Sequence, residues 1–562
     1  MKRVVIIGGV AGGASAAARL RRLDEDAEII MLDKGPYVSW ANCGLPYFVG
    51  NIIRERRALE LVRPSTFKKR FNIDARVNHE VLSIDRENRT VLVKDLVKGE
   101  EYNITYDYLI LSPGAKPIKP PFPGIDFVPV FLLRTIPDAE AIREFIDNNQ
   151  PQQAVIVGGG FIGLEMAENF RERGIQVTII EMLDQVMPPL DKEMAQFIHK
   201  ELILNDVTLI LEDAVESFGR TEENRPFVKT KSGKLIETDL IILSIGIRPE
   251  TKLAKDANLE IGPKGHIVVN THMQTSDPSI YAVGDAVQVI DLQTKQPVAI
   301  PLAGPANKQG RIAAENICGR NIEYKGILGA IVVKLFDMTI AAVGLSEKAL
   351  KQNNIQYEKI YQQPSNHAGY YPGAISMAFK LLFEKPSGKI LGAQIVGGPG
   401  SEKRIDVLSA IIKMGGTVFD LEELELAYSP PYNSAKDPVN MAGFIAANVL
   451  KGDHPIWHWY DIDMIKQKNG LILDVRTPRE YKRGTIEGAI NISDLELRER
   501  LNEIPKDSPV FLFCAVGYRG YLASRILLQN GYREVYNLSG GYKTYEVAGA
   551  TLEDLIKRYN RL

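Results

Sequence analysis

Two stretches of this chain carry one pattern 150 positions apart. Residues 4–19 read VVIIGGVAGGASAAAR and residues 154–168 read AVIVGGGFIGLEMAE, so that Gly8 corresponds to Gly158. In each, the β-branched run suits a strand buried on both faces of a parallel sheet, the glycines suit a tight turn, and the following stretch suits a helix. The N-terminus of such a helix faces a phosphate. The second copy has all three glycines of G-x-G-x-x-G as Gly158, Gly160 and Gly163, whereas the first has Gly8 and Gly13 with Val10 in the middle. An acid closes the next strand in both: Asp33 lies 20 residues after Gly13 and Glu181 lies 18 after Gly163. There a carboxylate can accept from a ribose hydroxyl, so two dinucleotides are expected. Glu181 is followed by Met182 and Leu183, with no arginine to receive a 2′-phosphate, which favours NADH over NADPH for the second fold.

At 562 residues the chain has room for three or four domains. Its 68 Lys+Arg balance 70 Asp+Glu, so no overall field draws in nucleic acid or an anionic membrane. Three cysteines, none in a C-x-x-C, argue against a disulfide framework and a zinc ribbon and point to a reducing compartment. The run 4–7 is too short for a signal-peptide core and no 18-residue apolar stretch occurs, so the expected address is the cytoplasm and the expected partners are small molecules.

The stretch 106–115, YDYLILSPGA, is a strand entering a glycine turn, and 238–246, TDLIILSIG, repeats its form; residues 275–286 read TSDPSIYAVGDA. These segments resemble the motifs of the flavoprotein disulfide reductases that bind two dinucleotides. The resemblance implies an FAD site on the first fold, with Gly8, Gly13, Asp33 and Ala115 around it, Asp285 on the ribityl chain and a helix near 302–316 pointing at the flavin. NADH then belongs to the second fold.

Cys43 lies in SWANCGLPY (39–47), a few residues beyond the first βαβ unit, with Phe48 where many of these enzymes carry a second cysteine. A lone cysteine cannot cycle as an internal disulfide, so its oxidised form needs an outside thiol or becomes a sulfenic acid. SxANCGLPY is similar to the subfamily of coenzyme A disulfide reductases, NADH oxidases and NADH peroxidases. In its coenzyme A-binding members the nucleotide and pantetheine are held by residues that map to Ser15, Arg19, Arg22, Ser39, Asn42 and Lys436. Arg19 and Arg22 share a helix face at i and i+3, where guanidinium groups can fork onto phosphates. Arg70-Phe71 stands near the family's coenzyme A lysine, and Asn307 stands where some members have a histidine. No histidine precedes His79, which weakens the oxidase and peroxidase readings.

Residues 326–452 resemble the family's dimerisation domain, with HAGYYPGA (367–374) and AYSPPY (427–432). The resemblance implies a homodimer in which Tyr428 and one of Tyr370 and Tyr371 reach the partner's redox cysteine and protonate the departing thiolate; interface packing explains such aromatics equally well. Beyond residue 452 the pattern restarts: DVRTPREY (474–481), the stretch 484–490 and the strand 510–513 ending at Cys514 resemble a rhodanese domain. Thr485 replaces a histidine common there, a structural change. CAVGYRG (514–520) before a helix expected over 521–529 places Cys514 among backbone N–H groups that favour thiolate and can cradle a persulfide. The Cys-x4-Arg spacing is one residue tighter than a phosphatase loop, which favours sulfur, and Arg519 adds positive charge. Cys318 follows an apolar helix face and reads as packing.

The expected fold is α/β, with two Rossmann-like dinucleotide-binding domains (FAD, 1–115 and 250–325; NADH, 116–249), an α+β dimerisation domain (326–452) and a rhodanese-like α/β domain (460–562). The expected activity is FAD-dependent reduction by NADH of persulfides, polysulfide or coenzyme A disulfide through Cys43, with coenzyme A as substrate or bound carrier and sulfane sulfur on Cys514. Three alternatives stand beside it: a coenzyme A disulfide reductase for thiol buffering, an NADH oxidase or peroxidase working through a Cys43 sulfenate, and a sulfurtransferase or sulfur-delivery module.

Overall fold

The computed structural model describes residues 2–560. They form two compact units, one running to Gln176 and resuming over Ala214–Gly329, the other comprising Val177–Asp213 and the residues from Ala330 on.

The first unit is built on a parallel sheet in the order Ile280–Ala282, Tyr108–Leu111, Arg3–Ile7, Glu28–Asp33, Asp74–Val77. Val4, Val5 and Ile6 have no exposed surface, as a strand covered on both faces requires. Helix Ala11–Arg21 lies against helix Ala303–Ile317 so closely that a Cβ on Gly310 would stand 2.1 Å from the Gly12 carbonyl oxygen. The Gly- and Ala-rich composition of 11–18 is the condition for that approach. Within the same unit the second glycine pattern follows strand Gln153–Val157, which runs parallel to Leu240–Leu243, and opens helix Phe161–Glu172.

The second unit holds an antiparallel sheet in the order Ile331–Leu335, Met338–Gly344, Ile390–Gly397, Met377–Phe383, Glu358–Gln362. Met377–Phe383 is buried throughout although it contains Lys380. That ammonium meets Asp191 at 2.7 Å and also contacts Glu193 and Glu347, while Lys359 lies 2.7 Å from Glu347. A buried cation is tolerated only when paired in this way. The segment 116–249 contributes to both units: helix Lys192–Leu204 packs on strands Met377–Phe383 and Ile390–Gly397 and on helices Gly541–Ala548 and Leu552–Tyr559.

A second, parallel sheet in this unit has the order Ile456–Trp457, Val535–Leu538, Val510–Phe513, Leu471–Asp474, Ile490–Asn491. Its first strand lies ahead of residue 460, the expected start of the last domain. Trp457 is drawn in there because its indole N–H donates to the Leu512 carbonyl at 3.0 Å. The sheet is tied to the antiparallel one by the Tyr361 N–H, which donates to Ser539 Oγ at 2.8 Å. Among the described residues no helix is long and apolar enough to cross a membrane.

Candidate active site

In the first unit, Cys43 sits on the short turn Asn42–Gly44, exposed, with its N–H donating to Asn42 Oδ1 at 3.1 Å. It borders a cleft of about 480 Å³ whose walls also include Ser15, Arg19, Arg22, Ser39 and Asn42. The structure thus gathers five of the six expected coenzyme A residues around the cysteine. Ser15 Oγ donates to Asn307 Oδ1 at 2.7 Å, and Arg19 pairs with Glu315 at 2.7 Å, which Arg311 approaches at 3.2 Å. Three guanidinium groups against one carboxylate leave the cleft positive. Trp40, Leu61, Phe67 and Phe71 give it apolar walls. Lys436 belongs to the second unit, on the exposed turn before helix Pro438–Lys451.

The first glycine turn has the shape a diphosphate needs. Gly8 adopts φ +98°, and a Cβ on Gly13 would lie 1.9 Å from the Gly8 carbonyl oxygen, so neither position admits a side chain. Asp33 ends its strand as expected and accepts from the N–H groups of Gly9 (2.9 Å) and Gly35 (2.8 Å). Burial pushes the Asp33 carboxyl up, those two bonds and nearby cations opposing it. Asp285 lies on the turn Gly284–Ala286, its carboxyl likewise pushed up by burial, and Ala115 is buried at the start of strand Ala115–Pro117. Partial desolvation, then the Glu165 and Asp285 carboxylates, push the Cys43 thiol up; Arg134 pulls it down. Glu165 itself is pushed up to about 7 by burial, and receives a long 3.4 Å hydrogen bond from the Tyr47 hydroxyl.

At the second glycine turn, Gly158 takes φ +105° and a Cβ on Gly163 would lie 2.1 Å from the Gly158 carbonyl oxygen. Nothing stands within 4 Å of where a Gly160 Cβ would be, so the turn keeps open space before helix Phe161–Glu172. Glu181 lies in the second unit, nearly buried, and accepts from the Leu183 N–H at 2.9 Å; Met182 beside it is exposed.

Elsewhere in the second unit the Tyr370 and Tyr428 hydroxyls share a hydrogen bond of 2.7 Å, while Tyr371 sets its ring edge-on to His367. Cys514 is fully buried at the end of strand Val510–Phe513, its Sγ accepting from the Gly517 N–H at 3.1 Å. The following helix spans Tyr518–Gln529 and so begins three residues earlier than expected. Gly517, at φ +103°, turns the chain directly into the helix, which places Arg519 in the first helical turn. There its two terminal nitrogens grip both oxygens of Glu480, at 2.9 and 2.7 Å. Thr485 Oγ1 donates to Asp474 Oδ2 at 2.9 Å, in keeping with a structural role.

Residues 2–310 match the family described as pyridine nucleotide-disulphide oxidoreductase, residues 331–438 match its dimerisation domain, and residues 462–548 match the rhodanese-like domain. The chain belongs to the pyridine nucleotide-disulphide oxidoreductase family. This oxidoreductase is 49% identical to reduced CoADR-RHD from Bacillus anthracis, covering 99% of each chain with a TM-score of 0.94. It is 39% identical to an NAD-dependent persulfide reductase from A. fulgidus, covering 97% of this chain and 99% of that one with a TM-score of 0.90. It is also 37% identical to the coenzyme A disulfide reductase of Staphylococcus haemolyticus, over 80% of this chain and all of that protein.

The oxidoreductase accordingly uses FAD and NAD(H) and acts in disulfide or persulfide reduction, and its fold is the expected α/β one with Rossmann-like domains. The tight first turn and the half-buried Asp285 fit FAD, and the open second turn fits the nicotinamide dinucleotide. Arg134, Glu165, Arg311 and Glu480 escaped the sequence reading: Glu165 and Glu480 meet partners 118 and 39 positions away, Arg134 acts on Cys43 from 91 positions away, and Arg311 gains its place only where its helix borders the cleft of residues 10–71.

Proposed function

We propose that this oxidoreductase reduces coenzyme A persulfide with NADH, coenzyme A disulfide serving as a second substrate of the same cleft, and that Cys514 supplies sulfane sulfur. The observation that carries this reading is the joint lining of one positive, part-apolar cleft by Cys43, Ser15, Arg19, Arg22, Ser39 and Asn42. A nucleotide thiol has the matching parts: phosphates for guanidinium groups, an apolar arm for aromatic walls, and sulfur for Cys43. The overall reaction is R–S–SH + NADH + H⁺ → R–SH + H₂S + NAD⁺.

Bound FAD would supply the two-electron chemistry that links NADH oxidation to sulfur reduction. Gly8, Gly13, Asp33, Ala115 and Asp285 would hold it, on residues 1–115 and 250–325; Gly158, Gly160, Gly163 and Glu181, on 116–249, would hold NADH. The Cys43 thiolate attacks the coenzyme A-bound sulfur, expels hydrosulfide and forms a mixed disulfide, whose reduction frees coenzyme A and restores the thiolate. In the homodimer expected of the dimerisation domain, Tyr428 and Tyr370 protonate the leaving thiolate. Lys436, in the dimerisation domain, is the sixth residue that the family resemblance assigns to coenzyme A. On the rhodanese domain (460–562) Cys514 attacks a sulfane donor and holds the sulfur as a persulfide beneath the Gly517 N–H, with Arg519 as nearby counter-charge.

The test compares NADH consumption on coenzyme A disulfide, coenzyme A persulfide and polysulfide. Cys43→Ser, with FAD retained, should lose all three, whereas Cys514→Ser should lose polysulfide and spare coenzyme A disulfide. Coenzyme A disulfide turnover by Cys43→Ser overturns the reading. So does equal loss on all three substrates in Cys514→Ser.

A further inference from the structure

Two guanidinium groups flank the Cys514 loop, and both are already engaged. Arg476 grips Asp474, Nη2 to Oδ2 at 2.6 Å, and lies over the Tyr542 ring at 4.1 Å. Arg519 forms its two-pronged pair with Glu480 and also feels Asp494. Glu480 is pinned in turn by Thr477, whose N–H and hydroxyl donate to Oε2 at 3.0 and 2.9 Å. The Arg519 pair holds the Glu480 carboxyl down at about 2, so it stays ionised.

The loop therefore offers an incoming anion backbone N–H groups and the N-terminus of the 12-residue helix Tyr518–Gln529, equivalent to about half a charge, and no uncommitted guanidinium. That suffices for a terminal persulfide carrying one charge. It does not compensate thiosulfate, which arrives with two.

We propose that Glu480 sets the charge selectivity of the Cys514 site, committing Arg519 to itself so that the loop takes sulfane sulfur from singly charged persulfides and rejects thiosulfate. The proposal rests on the reading of Cys514 as a sulfur carrier. With a persulfide, R–S–S⁻ + Cys514–S⁻ → R–S⁻ + Cys514–S–S⁻: the donor S–S bond breaks, a new one forms at Cys514, the alkyl thiolate leaves, and the site holds two negative charges. With thiosulfate, S–SO₃²⁻ + Cys514–S⁻ → Cys514–S–S⁻ + SO₃²⁻, and the site must hold three negative charges at once.

The experiment measures, in the full-length protein, the bimolecular rate constants for persulfide formation at Cys514 from 2-mercaptoethanol persulfide and from thiosulfate, read by mass spectrometry. Wild type should react faster with the alkyl persulfide. Glu480→Gln should raise the thiosulfate constant relative to the persulfide constant by roughly tenfold, the effect of deleting one unit charge a few ångströms away at a protein surface. Wild type alone gives a second measurement: added salt should speed thiosulfate more than the alkyl persulfide, because screening relieves the doubly charged donor more. Equal reactivity of the two donors in wild type overturns the proposal, as does an unchanged ratio in Glu480→Gln. Formation of no Cys514 persulfide from either donor overturns the carrier reading itself.

Discussion

The hydroxyl oxygens of Tyr370 and Tyr428 lie 2.7 Å apart, one donating to the other across 58 positions of sequence. The two residues are 75% and 47% exposed, so the pair is presented outward. The bond pushes the Tyr370 phenol up, which keeps it a donor. Tyr371, turned to His367, is outside the pair. Tyr370→Phe and Tyr428→Phe should each lower kcat on coenzyme A disulfide by about a hundredfold, as loss of a positioned proton donor does. The double variant should be little worse than either, because hydrogen-bonded partners act as one unit. Tyr371→Phe should stay near wild type, and steady-state kinetics on the four variants beside wild type would decide.

Glu165 is one of two carboxylates that push the Cys43 thiol up. A raised pKa means that thiolate appears only at higher pH, so Glu165→Gln should move the pH profile of Cys43 alkylation by iodoacetamide to lower pH. The profile of Arg134→Met should move the other way, since the guanidinium is the group that favours thiolate. Identical profiles for the three proteins would contradict both expectations.

Nicotinamide preference should follow Glu181. Its carboxylate sits beside exposed Met182, where a 2′-phosphate would meet repulsion, and neither Met182 nor Leu183 is an arginine that could receive it. Glu181→Ala combined with Met182→Arg should invert the ratio of kcat/KM for NADH and NADPH. A wild type that used the two equally well would show that Glu181 does not discriminate.

Lys380→Met should destabilise the protein by about 3–5 kcal/mol, the usual cost of stranding buried partners of a removed charge, as read by chemical denaturation. The same network carries an acid dependence. Lys380 and Lys359 hold the Glu347 carboxyl down to about 2, against desolvation that opposes them. A folded pKa below the unfolded one adds stability that is complete above the unfolded value near 4.5 and is lost as pH falls toward 2. Wild type should lose stability steeply across that window, and Glu347→Gln should lose less.

Much of this was legible in the sequence wherever the constraint is local. The glycine turns, the acids closing the next strands, the exposed bend at Cys43 and the structural substitution at Thr485 each depend on a few neighbouring residues. The helix after Cys514 was placed three residues late because Tyr518 and Arg519 look like loop chemistry, whereas Gly517 makes the turn within one residue. The grip of Glu480 on Arg519, 39 positions away, has no signature in either segment alone. Which of the neighbouring tyrosines pairs with Tyr428 is likewise a matter of backbone course and not of composition.

Ile203 on helix Lys192–Leu204 clusters with Ala550 and Leu555, and the Lys200 ammonium lies 4.4 Å from the centre of the Tyr559 ring. A gene cut between the two sheets would therefore release a fragment with an oily scar, prone to stick to itself. The last hundred residues act as a lid screwed to its vessel, and anyone grafting them onto another reductase must transplant the seat along with the lid.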